Sequence, residues 1–140
     1  MNHLVFLDAG AGELEKILSG VKTMLVKEFD PKTTAHPVQP GDSLYFLRDQ
    51  DDCAVRVKAT VVRVLFFTNN VKEDLSLILK AMQPRLQLTE AQYNAWAARQ
   101  QVMLVEFASA HKIGVIHVAP DKITDRSDWI AFQVLSRIIE

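Results

Sequence analysis

Ile17-Leu18-Ser19-Gly20-Val21-Lys22-Thr23-Met24-Leu25-Val26-Lys27, followed downstream by Pro40-Gly41-Asp42-Ser43-Leu44-Tyr45-Phe46, decides how this chain folds. Just before it, Glu13-Leu14-Glu15-Lys16-Ile17-Leu18 places apolar residues at 14, 17 and 18, one face of a short helix. The glutamates lie near its N-terminus, where the helix dipole favours them. Gly20 stands where a left-handed C-cap ends such a helix. Residues 23–29 then read as a strand with Lys22 at its mouth. Pro40-Gly41-Asp42 is a turn with a mechanism, since proline presets the first dihedral and glycine supplies a positive one. It sends the chain into a strand over 43–48. Val55, Val57 and Ala59 alternate with Arg56, Lys58 and Thr60, making 53–67 the antiparallel partner of that strand through the acidic tip Asp49-Gln50-Asp51-Asp52. The alternation slips at Val61-Val62, which predicts a bulge that re-aims Arg63.

Working outward, residues 3–9 form a first strand, and Asp30 to Pro37 is an exposed loop kept extended by its prolines. Residues 71–82 read as a helix capped by Asn69 or Asn70 and stopped before Pro84. A second helix covers 89–99, with Thr89 at the cap and Tyr93 and Trp96 on one side. A strand over 102–108 follows, with 112–118 as its expected partner. In the tail, Ile130, Phe132, Val134 and Ile138 fit a strand face, whereas Phe132, Leu135, Ile138 and Ile139 fit a helical one; the strand is preferred. Strands cluster in runs instead of alternating with helices. The expected class is therefore α+β: one domain over 1–140 built on a small, mostly antiparallel, curled β-barrel, with an early helix and a helical insertion over about 69–99.

The 140 residues, 49% of them hydrophobic, suit a single core. A net charge of -1 excludes binding by general attraction to phosphate, so a nucleic-acid partner would have to be held by a local patch and a shaped pocket. The lone Cys53 cannot form an internal disulfide, the N-terminus carries no basic leader, and apolar runs such as 60–67 are too short to cross a bilayer. A soluble, cytoplasmic protein is expected. His3, His36, His111 and His117 are scattered, so neither a metal nor a cofactor is expected. Gly10-Ala11-Gly12 imitates a dinucleotide fingerprint, but Glu15 occupies the third glycine position. Gly20-Val21-Lys22-Thr23 imitates a P-loop end without the adjacent Gly and Lys.

The order of strand, helix, Gly20-Val21-Lys22, strand, Pro40-Gly41-Asp42 and Val-rich hairpin resembles the ASCH family of PUA-like β-barrels. That family's signature runs Gly-x-Lys-x-x-Glu-x-Arg. Gly20 and Lys22 match it, Leu25 stands at the Glu position, and Lys27 at the Arg position keeps the charge without the planar fork. The resemblance implies RNA binding or nucleoside chemistry. Some ASCH proteins look like amidohydrolases of N4-acetylcytidine, in which a lysine, a threonine three residues on and a glutamate are implied to act. Lys22 takes the lysine position and is the implied catalytic base, Leu25 takes the threonine position, and Glu73, Asp74, Glu90 and Glu106 all remain candidates for the glutamate.

The expected ligand residues are Lys22, Thr23, Lys27, Tyr45, Arg56 and Lys58. The cations would hold phosphate and Tyr45 would stack a base. Three readings follow: an RNA- or nucleotide-binding domain with a basic cleft, an amidohydrolase of modified nucleosides, or a protein-interaction module using the Tyr93-Trp96 face.

Overall fold

The computed structural model describes residues 1–29, 38–49, 53–68, 72–119 and 129–132. In chain order the elements are β1 (Asn2–Phe6), α1 (Glu13–Leu18), β2 (Met24–Glu28), β3 (Ser43–Leu47), β4 (Ala54–Thr68), α2 (Lys72–Leu86), α3 (Glu90–Ala97), β5 (Gln101–His117) and β6 (Trp129–Phe132). The strands form one six-stranded sheet in the order β2-β5-β4-β3-β1-β6. β1 and β3 pair in parallel and every other neighbouring pair is antiparallel.

The sheet curls. β2 and β1 lie four places apart, which would separate them by about 19 Å in a flat sheet. Yet the Lys27 ammonium, on β2, donates to the Phe6 carbonyl of β1 at 2.8 Å. Inside the curl, Val5, Leu44, Phe46, Val57, Ala59, Val105 and Phe107 pack with Leu14 and Ile17 of α1, which plugs the mouth of this half-barrel. On the outer face of β2 and β5, α2 and α3 bury Leu75, Leu79, Leu86 and Leu88 against Met24, Val26, Val102 and Leu104. No helix is long and apolar enough to cross a membrane among the described residues.

The central stretch behaves as its chemistry demands. Gly20 adopts φ +84°, its N–H bonds the Ile17 carbonyl, and the Val21 N–H returns to Lys16, the paired bonds of a Schellman cap. Gly41 adopts φ +92° and its N–H donates to Val61 at 2.8 Å, tying the turn to the β4 bulge. That bulge lies between Val61 and Arg63, as the slipped alternation predicts, and Arg63 approaches Glu106 at 3.7 Å. Thr89 caps α3 through a complete capping box with Gln92.

Two expectations are corrected. Residues 102–108 and 112–118 are not partners of each other; they belong to one strand, β5, that runs along β4 throughout. Ser109-Ala110-His111 has no turn chemistry, and Ser109 at φ +59° inserts only an extra residue opposite Ala59, a bulge that bends the strand without reversing it. α2 does not stop before Pro84 but continues to Leu86. Proline removes only one backbone bond there, while Leu86 is fully buried and Gln83 clamps both the N–H and the carbonyl of Leu88. Gln87, at φ +52°, then ends the helix. Residues 129–132 form the expected strand on β1. The exposed loop over Asp30 to Pro37, the Asn69 or Asn70 cap, most of the acidic tip and the tail beyond 132 lie outside the described residues.

Candidate functional site

A cleft of about 600 Å³ opens where the end of β1, α1, β2 and α3 meet. Its floor includes Phe6, Leu7 and Val26, and its polar lining includes Asp8, Glu13, Lys27, Asp49, Gln92 and Arg99, with Trp96 on the α3 side. Each element delivers its residue for a local reason. α1 begins straight after the β1 loop, so Glu13 in its first turn faces back, and its Oε1 accepts the Asp8 N–H at 2.7 Å. Lys27 shares a strand face with Leu25, which points inside the curl, so its stem lies within the barrel and its ammonium reaches the mouth. α3 presents Ala91, Ala95 and Trp96 along the rim, and its small residues leave the cleft open. Arg99 lies over the Trp96 ring at 5.4 Å and meets Glu28 at 3.3 Å.

Lys22 lies directly behind this wall. Only 1% of it is exposed, its Nζ pairs with Glu13 Oε2 at 3.2 Å, and it donates to the Leu86 carbonyl at the C-terminus of α2. Lys16 reaches the next carbonyl, Gln87, at 3.1 Å. The two ammonium groups thus answer the carbonyls that a helix end leaves without partners. Burial pulls the Lys22 ammonium below its ordinary range, opposed by Glu13 and reinforced by the charges of Lys16 and Lys27.

The six sequence-predicted residues divide. Lys27 lines the cleft, and Lys22 touches it through Glu13. Thr23 sits half-buried at the start of β2, with its N–H on the Arg85 carbonyl and its own carbonyl accepting from Phe107. Tyr45 points to the other side of the sheet, 5% exposed, among Leu4, Phe6 and Leu47, with the ammonium of its cross-strand neighbour Lys58 over its ring at 5.5 Å. Arg56 is exposed at an irregular step of the β4–β5 pairing and bonds the Ala54 carbonyl. Neither it nor Lys58 lines the cleft, whose charged side chains among the described residues are three carboxylates and two cations. The lining is mixed in charge.

Sequence reading missed Glu13, taken only as a dipole-favoured glutamate, together with the rim residues Asp8, Gln92 and Arg99. The helix read over 89–99 has Tyr93 and Trp96 on one side, and that side is occupied within the chain: both rings pack on the outer core, and the Tyr93 hydroxyl meets Ser76 Oγ at 2.6 Å. A signal for Glu13 does exist, because a glutamate in a first turn after a Gly-rich loop can reach back to the loop's N–H groups.

A second buried polar cluster lies elsewhere. His3 is fully buried, with Nε2 at 2.8 Å from Asp42 Oδ2 and Nδ1 accepting the Trp129 indole N–H at 2.9 Å. An indole only donates, so Nδ1 is the bare nitrogen and Nε2–H donates to Asp42. Burial would raise the Asp42 carboxyl, but hydrogen bonds from His3 and the Gln39 N–H outweigh it and hold the group below its ordinary range.

No family model matches the chain, and no curated protein matches it significantly by sequence. Solved structures do match. The crystal structure of the ASCH protein of Zymomonas mobilis superposes with a TM-score of 0.66 at 10% identity, covering 94% of this chain and 87% of that one. A tyrosine-to-phenylalanine mutant of the same protein gives a TM-score of 0.67 at 11% identity over 96% of this chain and 91% of that one. Its serine-to-alanine mutant gives 0.67 at 11% over 96% and 89%. The fold is ASCH-like over nearly the whole chain.

Proposed function

We propose, from an ASCH-like fold with an open cleft at its mouth, that this protein binds a base-bearing ligand, a nucleoside-like small molecule or an unpaired nucleotide of an RNA strand. The observation that carries the reading is the convergence in one cleft of a buried ammonium, Lys27, an aromatic wall, Trp96, and a carboxylate, Glu13, on three different elements. Once Arg99 swings off it, Trp96 offers a ring face on which a base stacks, and Lys27 and Gln92 offer donors to the base's acceptor edge. In calorimetric titrations with cytidine, adenosine and a short single-stranded RNA, at least one binds, and Trp96→Ala and Lys27→Ala each weaken it by about tenfold, as stacking and charged hydrogen bonds require. Affinity indifferent to both substitutions rejects the cleft as the binding site.

A second reading is favoured by one observation, the Lys22 ammonium of lowered pKa paired with a carboxylate that faces the cleft. On this reading the protein hydrolyses the amide of a modified nucleoside such as N4-acetylcytidine. Glu13, backed by Lys22, takes a proton from the attacking water, and the amide C–N bond breaks to give cytidine and acetate. Release of cytidine that is lost in Lys22→Met, with folding retained, supports it. No release by the unmodified protein, or release undiminished in that variant, removes it.

A further inference from the structure

Away from the cleft, His3 is a buried titratable group whose bonds depend on its protonation. Nδ1 accepts the Trp129 indole N–H at 2.9 Å, Nε2–H donates to Asp42 Oδ2 at 2.8 Å, and the residue is fully buried. An indole can only donate. A proton on Nδ1 therefore sets two N–H groups against each other in a place where water does not reach to take up either. Protonation at that nitrogen breaks the contact.

Of the two partners, Trp129 is the one free to leave. Asp42 lies in the turn that Gly41 and Val61 tie to β4, and its carboxylate suits Nε2–H in either form of the ring. Trp129 begins β6, a strand of four residues at the edge of the sheet that pairs with β1 alone among the described residues. Short edge strands open locally far more readily than central ones. The strands flanking His3 bring no charge to it, since β3 sets Leu44 beside it and β6 sets Ala131. The charged groups of the described residues in this cluster are Asp42 and the N-terminal amine, 3.4 Å from the same carboxylate. Asp42 favours the imidazolium and the amine opposes it, whether β6 is docked or not. The two states differ at Nδ1, which meets an indole N–H when β6 is docked and water when it is not. The undocked state binds the proton more tightly, so falling pH favours it.

We infer that His3 and Trp129 form an acid-sensitive latch: protonation of Nδ1 expels the indole and undocks β6, uncovering the backbone N–H and C=O groups along the edge of β1. Such an edge is a template for pairing with another strand, and the neutral protein keeps it covered. The latch works in the range where an imidazole takes up its proton, roughly pH 5 to 8. Asp42 is not the trigger, because its carboxyl is held below its ordinary 3.8 and stays ionised throughout that range.

The test is NMR of the isotope-labelled full chain across roughly pH 8 to 5. The His3 ring nitrogens report protonation of Nδ1, and exchange of the β6 amides, corrected for the intrinsic effect of pH, reports undocking. The undocking equilibrium rises by about tenfold per pH unit once the undocked form takes up its proton, the Trp129 indole signal moves over the same range, and the amides shared by β4 and β5 keep their protection. His3→Gln stays neutral while keeping a donor and an acceptor, and its β6 opening is constant across the range. Undocking that does not change with pH, that proceeds while Nδ1 is still bare, or that keeps its pH dependence in His3→Gln overturns the inference. Should His3→Gln fail to fold, coincidence of Nδ1 protonation with β6 opening in the unmodified protein decides the question by itself.

Discussion

The Lys22–Glu13 pair and the His3–Asp42–Trp129 chain are both buried, and they are completed in different ways. In the second, each ring nitrogen of His3 has a protein partner, and Asp42 is surrounded by His3, the Gln39 N–H and the N-terminal amine at 3.4 Å. These partners come from the N-terminus, β1, β6 and the turn before β3. In the first, Glu13 is backed by Lys22 and Asp8 and still lines an open cleft. A polar cluster satisfied wholly from inside fixes strands in place, whereas one satisfied on one side only presents a pre-oriented group outward. On the proposed function, the contrast assigns the first cluster to the ligand and the second to the fold.

The sharpest way to break this contrast is to remove one member of each. Glu13→Ala leaves the Lys22 ammonium buried without its counter-charge and is expected to cost about 3–5 kcal/mol in denaturant unfolding. The double variant with Lys22→Met recovers most of that loss. If the double is as unstable as the single, the stranded charge is not the cause. Next in size, His3→Leu removes one donor from the buried side of Asp42 and the His3 acceptor from the Trp129 N–H, an expected loss of about 1–3 kcal/mol without change in ligand affinity. Altered affinity in this variant would blur the division between the two clusters.

Their pH dependence separates them further. Lys22 titrates below its ordinary 10.5, so in the alkaline range just under that value the unfolded chain binds more protons. Stability rises there with pH, and Lys22→Met flattens the rise. Asp42 titrates below its ordinary 3.8, so its contribution is present above that value and is lost as pH falls through the folded value. Asp42→Asn removes that part of the acid limb, measured by unfolding free energies across pH. The smallest effect belongs to Gly20→Ala. A Cβ there meets open space, so the expected loss of about 1 kcal/mol is the left-handed φ alone.

Much of this was legible in the residues. Gly20, Pro40-Gly41-Asp42 and Thr89 act locally, and local chemistry sufficed to place a cap, a turn and a helix start. The slipped alternation at Val61-Val62 reported a bulge because a strand's period of two leaves no other reading. β5 was misread because pattern alone does not show that the long β4 offers a partner to both halves, and α2 because burial of Leu86 outweighed the single bond that Pro84 removes. Lys22 was read as facing a ligand. Alternation gives relative faces, but it does not show that the end of a helix 64 residues away closes over that lysine. Glu13 was missed for the same reason: its importance comes from Lys22 and Asp8 meeting it in space.

The most direct test of the central claim is a backbone and indole NMR titration with cytidine. The account predicts that the Trp96 indole and the amides of Gly10, Gln92 and Ala95 shift together, while Tyr45, Arg56 and Lys58 on the far side stay in place. Shifts at Tyr45 and Lys58 with Trp96 unmoved would contradict it.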